Sequence, residues 1–268
     1  MAGSRRLMGA GKLCAAAALR SGAGLVTWGF PRGEKSVAGS GPWEAMSLPL
    51  PETRDGALHV SGLGEIRRFI RERRVTAVAL GPGLSTAPST ALLVRGLAGS
   101  LEIPVVADAD ALNILAAGWP PGAVSPLIAT PHPGELARLL KISAGDVQRD
   151  RSDATRKFSL QRKLVCVLKG HQTVVTNGQT FYVNGTGNPG MATGGMGDVL
   201  AGMTAALVSQ VAGQTLAERM LRAAAAAVFL HGLAGDLAVR RTTRVGLVAG
   251  DLPGFLPEAF RKTFGGSI

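Results

Sequence analysis

The sequence predicts an α/β fold built around a mostly parallel sheet, on three observations. Short apolar runs of strand length alternate with longer segments of helical character along most of the 268 residues. Three of these runs stop at once on glycine, an acid or a proline–histidine turn, as a strand does when it delivers the chain to a loop. Hydrophobic residues make up 46% and charged residues 18%, enough for a large core. With aromatics at only 4%, Ala, Leu and Val must fill it. Length alone allows one domain or two.

The elements follow in order. Leu13–Leu19 is alanine-rich and reads as helix, and Gly24–Trp28 as a short buried strand. Residues 31–63 carry much Gly, Pro and Ser and little periodicity, which predicts a long connection, mobile or at an interface. A basic helix is expected over Gly64–Arg74, then a strand over Thr76–Leu80, a helix near Ser89–Leu97 and a strand over Pro104–Ala107. Next come a helix from Ala111, a strand at Leu127–Ala129, a helix over Glu135–Leu140 and an amphipathic basic helix over Asp146–Arg162. Leu164–Leu168 reads as strand. Thr173–Thr176 and Thr180–Val183, joined through Asn177-Gly178, read as a hairpin by turn chemistry. Helices over Val199–Val211 and Leu216–Ala238 close the pattern. In open parallel sheets ligands bind beyond the carboxyl ends of the strands. The loops Gly81–Leu84, Asp108–Asn113, Thr130–Glu135, Lys169–Thr173 and Gly190–Asp198 are therefore expected along one edge.

Gly185–Ala201 is the densest of these signals, with six glycines in seventeen residues leading into an apolar helix. Such a loop offers unpaired N–H groups at a positive helix end, which is an anion site. Asp198 stands where loop becomes helix. A carboxylate among groups that attract phosphate is either a favourable dipole partner of its helix or a group that touches the phosphate's reaction partner. Gly185, Gly187 and Gly190 formally match a dinucleotide fingerprint, but Pro189 interrupts it and no acid follows about 20 residues on. Gly9–Lys12 fails as a P-loop, since Arg6 and Leu13 stand where glycine and a hydroxyl residue are required.

The net charge of +11 invites a nucleic-acid reading, yet the basic residues are dispersed and few aromatics lie among them for base stacking. A multiply anionic small substrate accounts for the excess, so neither a nucleic-acid nor a membrane partner is expected. The longest apolar tract, Ala223–Leu230, is shorter than the ~20 residues of a membrane span. The first nineteen residues look superficially like a signal peptide, but Lys12 interrupts the apolar stretch and no convincing cleavage site follows. Two cysteines, Cys14 and Cys166, are too few for a disulfide framework and favour a reducing, cytoplasmic setting.

Several side chains compete for chemical roles. Asp108 and Asp110 can hold Mg²⁺ through water, or Asp110 can cap the helix that contains Leu112. His132, between two prolines, is rigidly placed for ligand contact. Glu135 fits a helix first turn. Lys169, after four apolar residues, is a phosphate partner or an exposed loop lysine. His231, in an apolar helix, reads as a hydrogen-bonded core residue. No Ser-His-Asp spacing, paired-cysteine site or HExxH motif occurs.

GPGL (Gly81–Leu84), DADALN (Asp108–Asn113), TPHPGE (Thr130–Glu135), LKG (Leu168–Gly170) and NPGMATGGMGDVLAG (Asn188–Gly202) together resemble the ADP-dependent NAD(P)H-hydrate dehydratases. The resemblance runs in order from about Gly9 to Pro257. TGGxGD marks only the wider superfamily, whereas TPHPGE with NPGxATGG is more specific. It implies one ribokinase-like domain over residues 1–268, a three-layer α/β/α sandwich with a mostly parallel central sheet. It also implies ADP, or ATP, as phosphoryl donor with Mg²⁺, the S epimer of hydrated NADH or NADPH as substrate, and a homotetramer. Residue by residue, it places Ala10, Gly83, His132 and Asp198 on the hydrate. Lys169, Gly170, His171, Gln172, Thr173 and Gly197 fall on the nucleotide, and Asp198 carries the catalysis. Metal ligands are not assigned. Two departures stand out: family members usually carry a strand and a Lys-Gly-rich turn before the segment that Met1–Gly9 matches, and Met196 replaces a small or hydroxyl residue. The first leaves the chain truncated or that strand dispensable, and weakens the placing of Ala10. A vitamin-precursor kinase of the same fold and a silent nucleotide-binding protein are the alternatives.

Overall fold

The computed structural model describes residues 1–123 and 125–265. Its elements are α1 (Met8–Arg20), β1 (Thr27–Pro31), α2 (Lys35–Ala38), β2 (Met46–Leu50), α3 (Leu63–Glu72), β3 (Val78–Leu80), α4 (Pro88–Ala98), β4 (Val105–Ala107) and α5 (Asp110–Ala117). They continue with β5 (Leu127–Ala129), α6 (Pro133–Leu140), α7 (Ala144–Arg149), α8 (Arg151–Arg162), β6 (Val165–Leu168), β7 (Val174–Thr176), β8 (Phe181–Val183), α9 (Met196–Val208), α10 (Leu216–Ala238) and α11 (Leu252–Phe264).

The main sheet has six strands in the order β3-β4-β5-β6-β7-β8. β3 to β6 run parallel, and β7 and β8 add the antiparallel hairpin that Asn177-Gly178 announces. Side chains alternate across a strand, and here the alternation sorts them between two cores. Val105, Ala107, Leu127, Cys166 and Leu168 face a core completed by Ile66, Leu93, Leu112, Leu136 and Phe158 of α3 to α8. Val106, Ile128, Val165 and Val167 face the other, completed from α1, α9, α10 and α11. Burial on both faces is why these strands read as continuous apolar runs. The three-layer ribokinase-like sandwich is the observed architecture.

Several sequence expectations need correction. The strand expected at Gly24–Trp28 lies at Thr27–Pro31, and Leu25 is 83% exposed. The region after Pro31 is not a featureless connection: Met46–Leu50 pairs in parallel with β1 in a separate two-stranded sheet. The helix expected over Asp146–Arg162 is broken at Asp150, which ends α7 and whose side chain caps α8. α11 was not expected; Leu252, Leu256 and Ala259 supply its buried stripe, and Pro253 fits its first turn. α10 is, among the described residues, the one helix that by length and composition alone could cross a membrane, and 56% of its apolar window is buried in the sandwich. The short tract Ala223–Leu230 therefore understated it.

Candidate active site

Four parallel strands end on loops that touch one another. β3 ends at Gly81, where φ of +129° and the close approach of the Asp108 carbonyl leave no room for a side chain. In the same loop Gly83 (φ +62°) packs on Leu7 and on Ala10, whose Cβ would stand 3.0 Å from a side chain at Gly83. Asp110 does not cap its helix. Its carboxylate accepts from the Ser85 N–H at 2.8 Å and ties the β3 loop to the β4 loop.

Asp108, at the end of β4, is buried and takes two donors on one oxygen: the Thr130 hydroxyl at 2.7 Å and the Lys169 ammonium at 2.5 Å. Lys169 Nζ also lies 3.8 Å from Glu135 Oε2. Burial opposes the ammonium charge, but Asp108 and Glu135 outweigh it and hold the lysine pKa above its ordinary value. Lys169 is thus not an exposed loop lysine: its ammonium is paired with the two carboxylates beneath the glycine-rich loop. His132 caps α6, its Nδ1 accepting from Gly134 and Glu135 N–H, while Glu135 Oε2 accepts from the His132 N–H at 2.8 Å, a reciprocal capping box. That box leaves His132 Nε2 at the half-exposed rim, 3.5 Å from Glu135 Oε1. Burial, then Lys169 and Arg138, push the His132 pKa down, so the ring is neutral near pH 7.

The glycine-rich loop enters α9 at Gly195, which sits at φ +91° and has no side-chain cap. Among the described residues, the amides of Met196, Gly197 and Asp198 donate to no protein acceptor. The Met196 side chain is buried in the core beneath, so its departure from the family pattern leaves the backbone donors free. A side chain at Gly197 would lie 3.2 Å from Lys169 Nζ and 3.4 Å from Asp108 Oδ2, so the loop rests directly on the buried charge cluster.

Asp198 has no hydrogen-bond or ion-pair partner among the described residues, and burial raises its pKa from 3.8 to about 6. The carboxylate of Asp108 adds to that rise, and Lys169 opposes it. A helix N-terminus by itself predicts a lowered pKa and a weak base; desolvation beside a second carboxylate overrides it. His171 and Gln172 lie exposed on the β6–β7 turn, where the Thr173 hydroxyl donates to the Gly170 carbonyl at 2.9 Å. His231 is the core residue expected: its ring nitrogen bonds the Met196 carbonyl at 3.0 Å, and burial pushes its pKa down to about 4. Being raised again to about 6.5 on unfolding, it contributes stability that is full above pH 6.5 and lost as pH falls toward 4. Chemical denaturation followed across that window should show a slope that His231→Gln flattens.

Thr130 as an Asp108 donor was not legible beforehand, and nor was Arg151, whose guanidinium reaches the end of β6. A hydroxyl at a strand end and an acid at position 150 are the only local hints. Among the described residues no three His, Cys, Asp or Glu side chains gather as a metal cage.

With an uncapped helix N-terminus and an unpaired carboxylate at the strand-end edge of its mostly parallel sheet, the ribokinase-like sandwich carries a candidate anion site. The sequence model of the NAD(P)H-hydrate dehydratase family matches residues 1–257. The chain is 45% identical over 264 residues to a bifunctional NAD(P)H-hydrate repair enzyme of Moorella thermoacetica, covering 97% of this chain and 48% of that protein. It is 35% identical to an ADP-dependent (S)-NAD(P)H-hydrate dehydratase of Neisseria meningitidis, covering 97% and 81%. The crystal structure of an ADP/ATP-dependent NAD(P)H-hydrate dehydratase of Bacillus subtilis, co-crystallized with ATP and Mg²⁺, superposes with a TM-score of 0.79 at 28% identity, covering 98% and 87%. The chain belongs to the NAD(P)H-hydrate dehydratase family. It spans about half the length of the bifunctional relatives it matches.

Proposed function

We propose that this protein dehydrates the S epimer of hydrated NADH or NADPH at the expense of ADP, releasing NAD(P)H, AMP and phosphate, in one domain spanning residues 1–268. The observation that carries the reading is the unpaired Asp198 carboxylate, with a pKa of about 6, beside three free amides of the α9 N-terminus. The substrate's ring hydroxyl would leave as hydroxide, a poor leaving group. Asp198 orients that hydroxyl and accepts its proton while the oxygen attacks the terminal phosphorus of ADP; the P–O bond to AMP breaks, and the Gly194–Asp198 amides balance the growing charge. The ring nitrogen's lone pair then expels phosphate, and loss of a ring C–H proton restores the dihydropyridine. Ala10, Gly83 and neutral His132 border the hydrate. Lys169, Gly170, His171, Gln172, Thr173 and Gly197 line the nucleotide.

The chain's donor set fits a magnesium that arrives on nucleotide phosphates rather than in a protein cage, since Asp108 and Glu135 already share Lys169. The nucleotide's phosphates would hold the ion, with the unpaired Asp198 carboxylate the nearest group of the described residues free to reach it through water, and it would neutralise phosphate charge. The two buried free thiols support a reducing, cytoplasmic setting.

Incubating the protein with hydrated NADPH or NADH and either ADP or ATP tests the reading. The expected result is recovery of NAD(P)H absorbance with one phosphate per turnover. A phosphorylated vitamin precursor, or nucleotide binding with no recovery, would overturn it. Because Asp198 must be ionised to accept the proton, kcat/KM should rise with pH and level off above about pH 6.

A further inference from the structure

Arg151 is an oddly placed cation. It is the first residue of α8, where a positive charge opposes the helix dipole. Its Nε is buried without an acceptor, and burial lowers its pKa. No carboxylate among the described residues forms an ion pair with it. Each feature costs stability, and none is compensated by an acid among the described residues.

The guanidinium instead reaches the end of β6. Nη2 donates to the Leu168 carbonyl at 3.1 Å and to the Lys169 carbonyl at 3.4 Å, and Nη1 donates to Gln148 Oε1 at 3.0 Å. Gly170, at φ +135°, has a vacant side-chain position 3.3 Å from Nη1. Past this point the amides of Gly170, His171 and Gln172 donate to no acceptor among the described residues, and Gln172 sits at φ +52°. A turn of this kind, with successive free N–H groups, is an anion-binding concavity. The two carbonyls held by Arg151 would otherwise present negative ends beside it.

We propose that Arg151 is a positioning residue for the nucleotide. Its fork holds the Leu168 and Lys169 carbonyls so that the Gly170–Gln172 amides stay free for the ligand, and the nucleotide's phosphate is the counter-charge that the described residues do not supply. This rests on the nucleotide reading above and extends it to a residue outside the binding motifs. Lysine keeps the charge but not the planar fork, so it is no substitute here.

The test compares wild type, Arg151→Met and Arg151→Lys in ADP titration calorimetry, steady-state kinetics and hydrogen exchange of the ligand-free protein. Arg151→Met should raise the Kd and KM for ADP about tenfold or more, leave the KM for the hydrate within about twofold, and speed exchange at residues 170–172. Arg151→Lys should recover only a minor part of the affinity. Unchanged ADP affinity in Arg151→Met, unchanged exchange at 170–172, full rescue by lysine, or an equal loss of both substrates with a lowered Tm would each overturn the proposal. Wild-type protein that binds no ADP would overturn the dehydratase reading itself.

Discussion

Asp198→Asn is expected to lower turnover by about 10²–10⁴-fold while ADP still binds, and to make the protein more stable at pH 8. The first effect follows from removing the one unpaired carboxylate at the anion loop, whereas the amides of Met196, Gly197 and residue 198 stay in place. Calorimetric titration with ADP beside the hydrate-repair assay separates binding from chemistry; unchanged turnover would remove Asp198 from the mechanism. The second effect is linkage. The folded pKa of about 6 lies above the ordinary 3.8, so the unfolded chain binds fewer protons between these values and stability falls as pH rises through them. The rise corresponds to at most about 3 kcal/mol at ~1.4 kcal/mol per pKa step, and water at the mouth of the site reduces it to about 1–2 kcal/mol. The gain in Tm should therefore be full above pH 6 and fade toward pH 4. An active-site group that destabilises its own fold is the usual trade between stability and activity.

Gly202→Ala is expected to destabilise the protein by about 3 kcal/mol or more, at the upper end of the cost of overpacking. Gly202 lies mid-way along α9, facing α1, and a side chain there would collide with the Cys14 carbonyl oxygen, which is backbone and cannot swing aside. α1 and α9 must separate, and both carry residues of the candidate site: Ala10 on α1, Gly197 and Asp198 on α9. Thermal melting should show a Tm lower by about 6–12 °C, at 2–4 °C per kcal/mol for a chain near this size. Gly254→Ala is the control, since a side chain there meets nothing within 4 Å. Equal melting of the two variants would show that the α1–α9 approach is looser than the backbone geometry states.

Strands β3 to β6 were legible because burial on both faces makes a strand a short continuous apolar run, bounded by the residues that turn the chain. β1 and β2 were not. Gly29 and Pro31 stand within one and Pro49 within the other, and these residues argue against strand locally. The break between α7 and α8 hides in a run of charged residues, where only Asp150 acting as a cap divides it. α11 carried an apolar stripe, but Pro253 and Pro257 mask it as loop.

The candidate site divides along similar lines. Local chemistry was enough to single out Asp198, the glycine-rich anion loop, the His132 turn and the convergence of five loops on one edge, because glycine density, strand-end acids and proline flanks are properties of neighbours in sequence. The state of each charge was not. Lys169 lies 61 residues from Asp108 and 34 from Glu135, yet all three share one buried cluster. That cluster pairs the lysine with two carboxylates, and burial, with Asp108 beside it, gives an Asp expected to be a weak base a pKa of about 6. The sequence by itself determined the layers of the fold, the edge where the candidate site lies and the family. Only the tertiary structure decided which charges are paired, which is left free and what proton affinity it has, because desolvation and charge–charge coupling act through space between residues that the chain brings together only on folding.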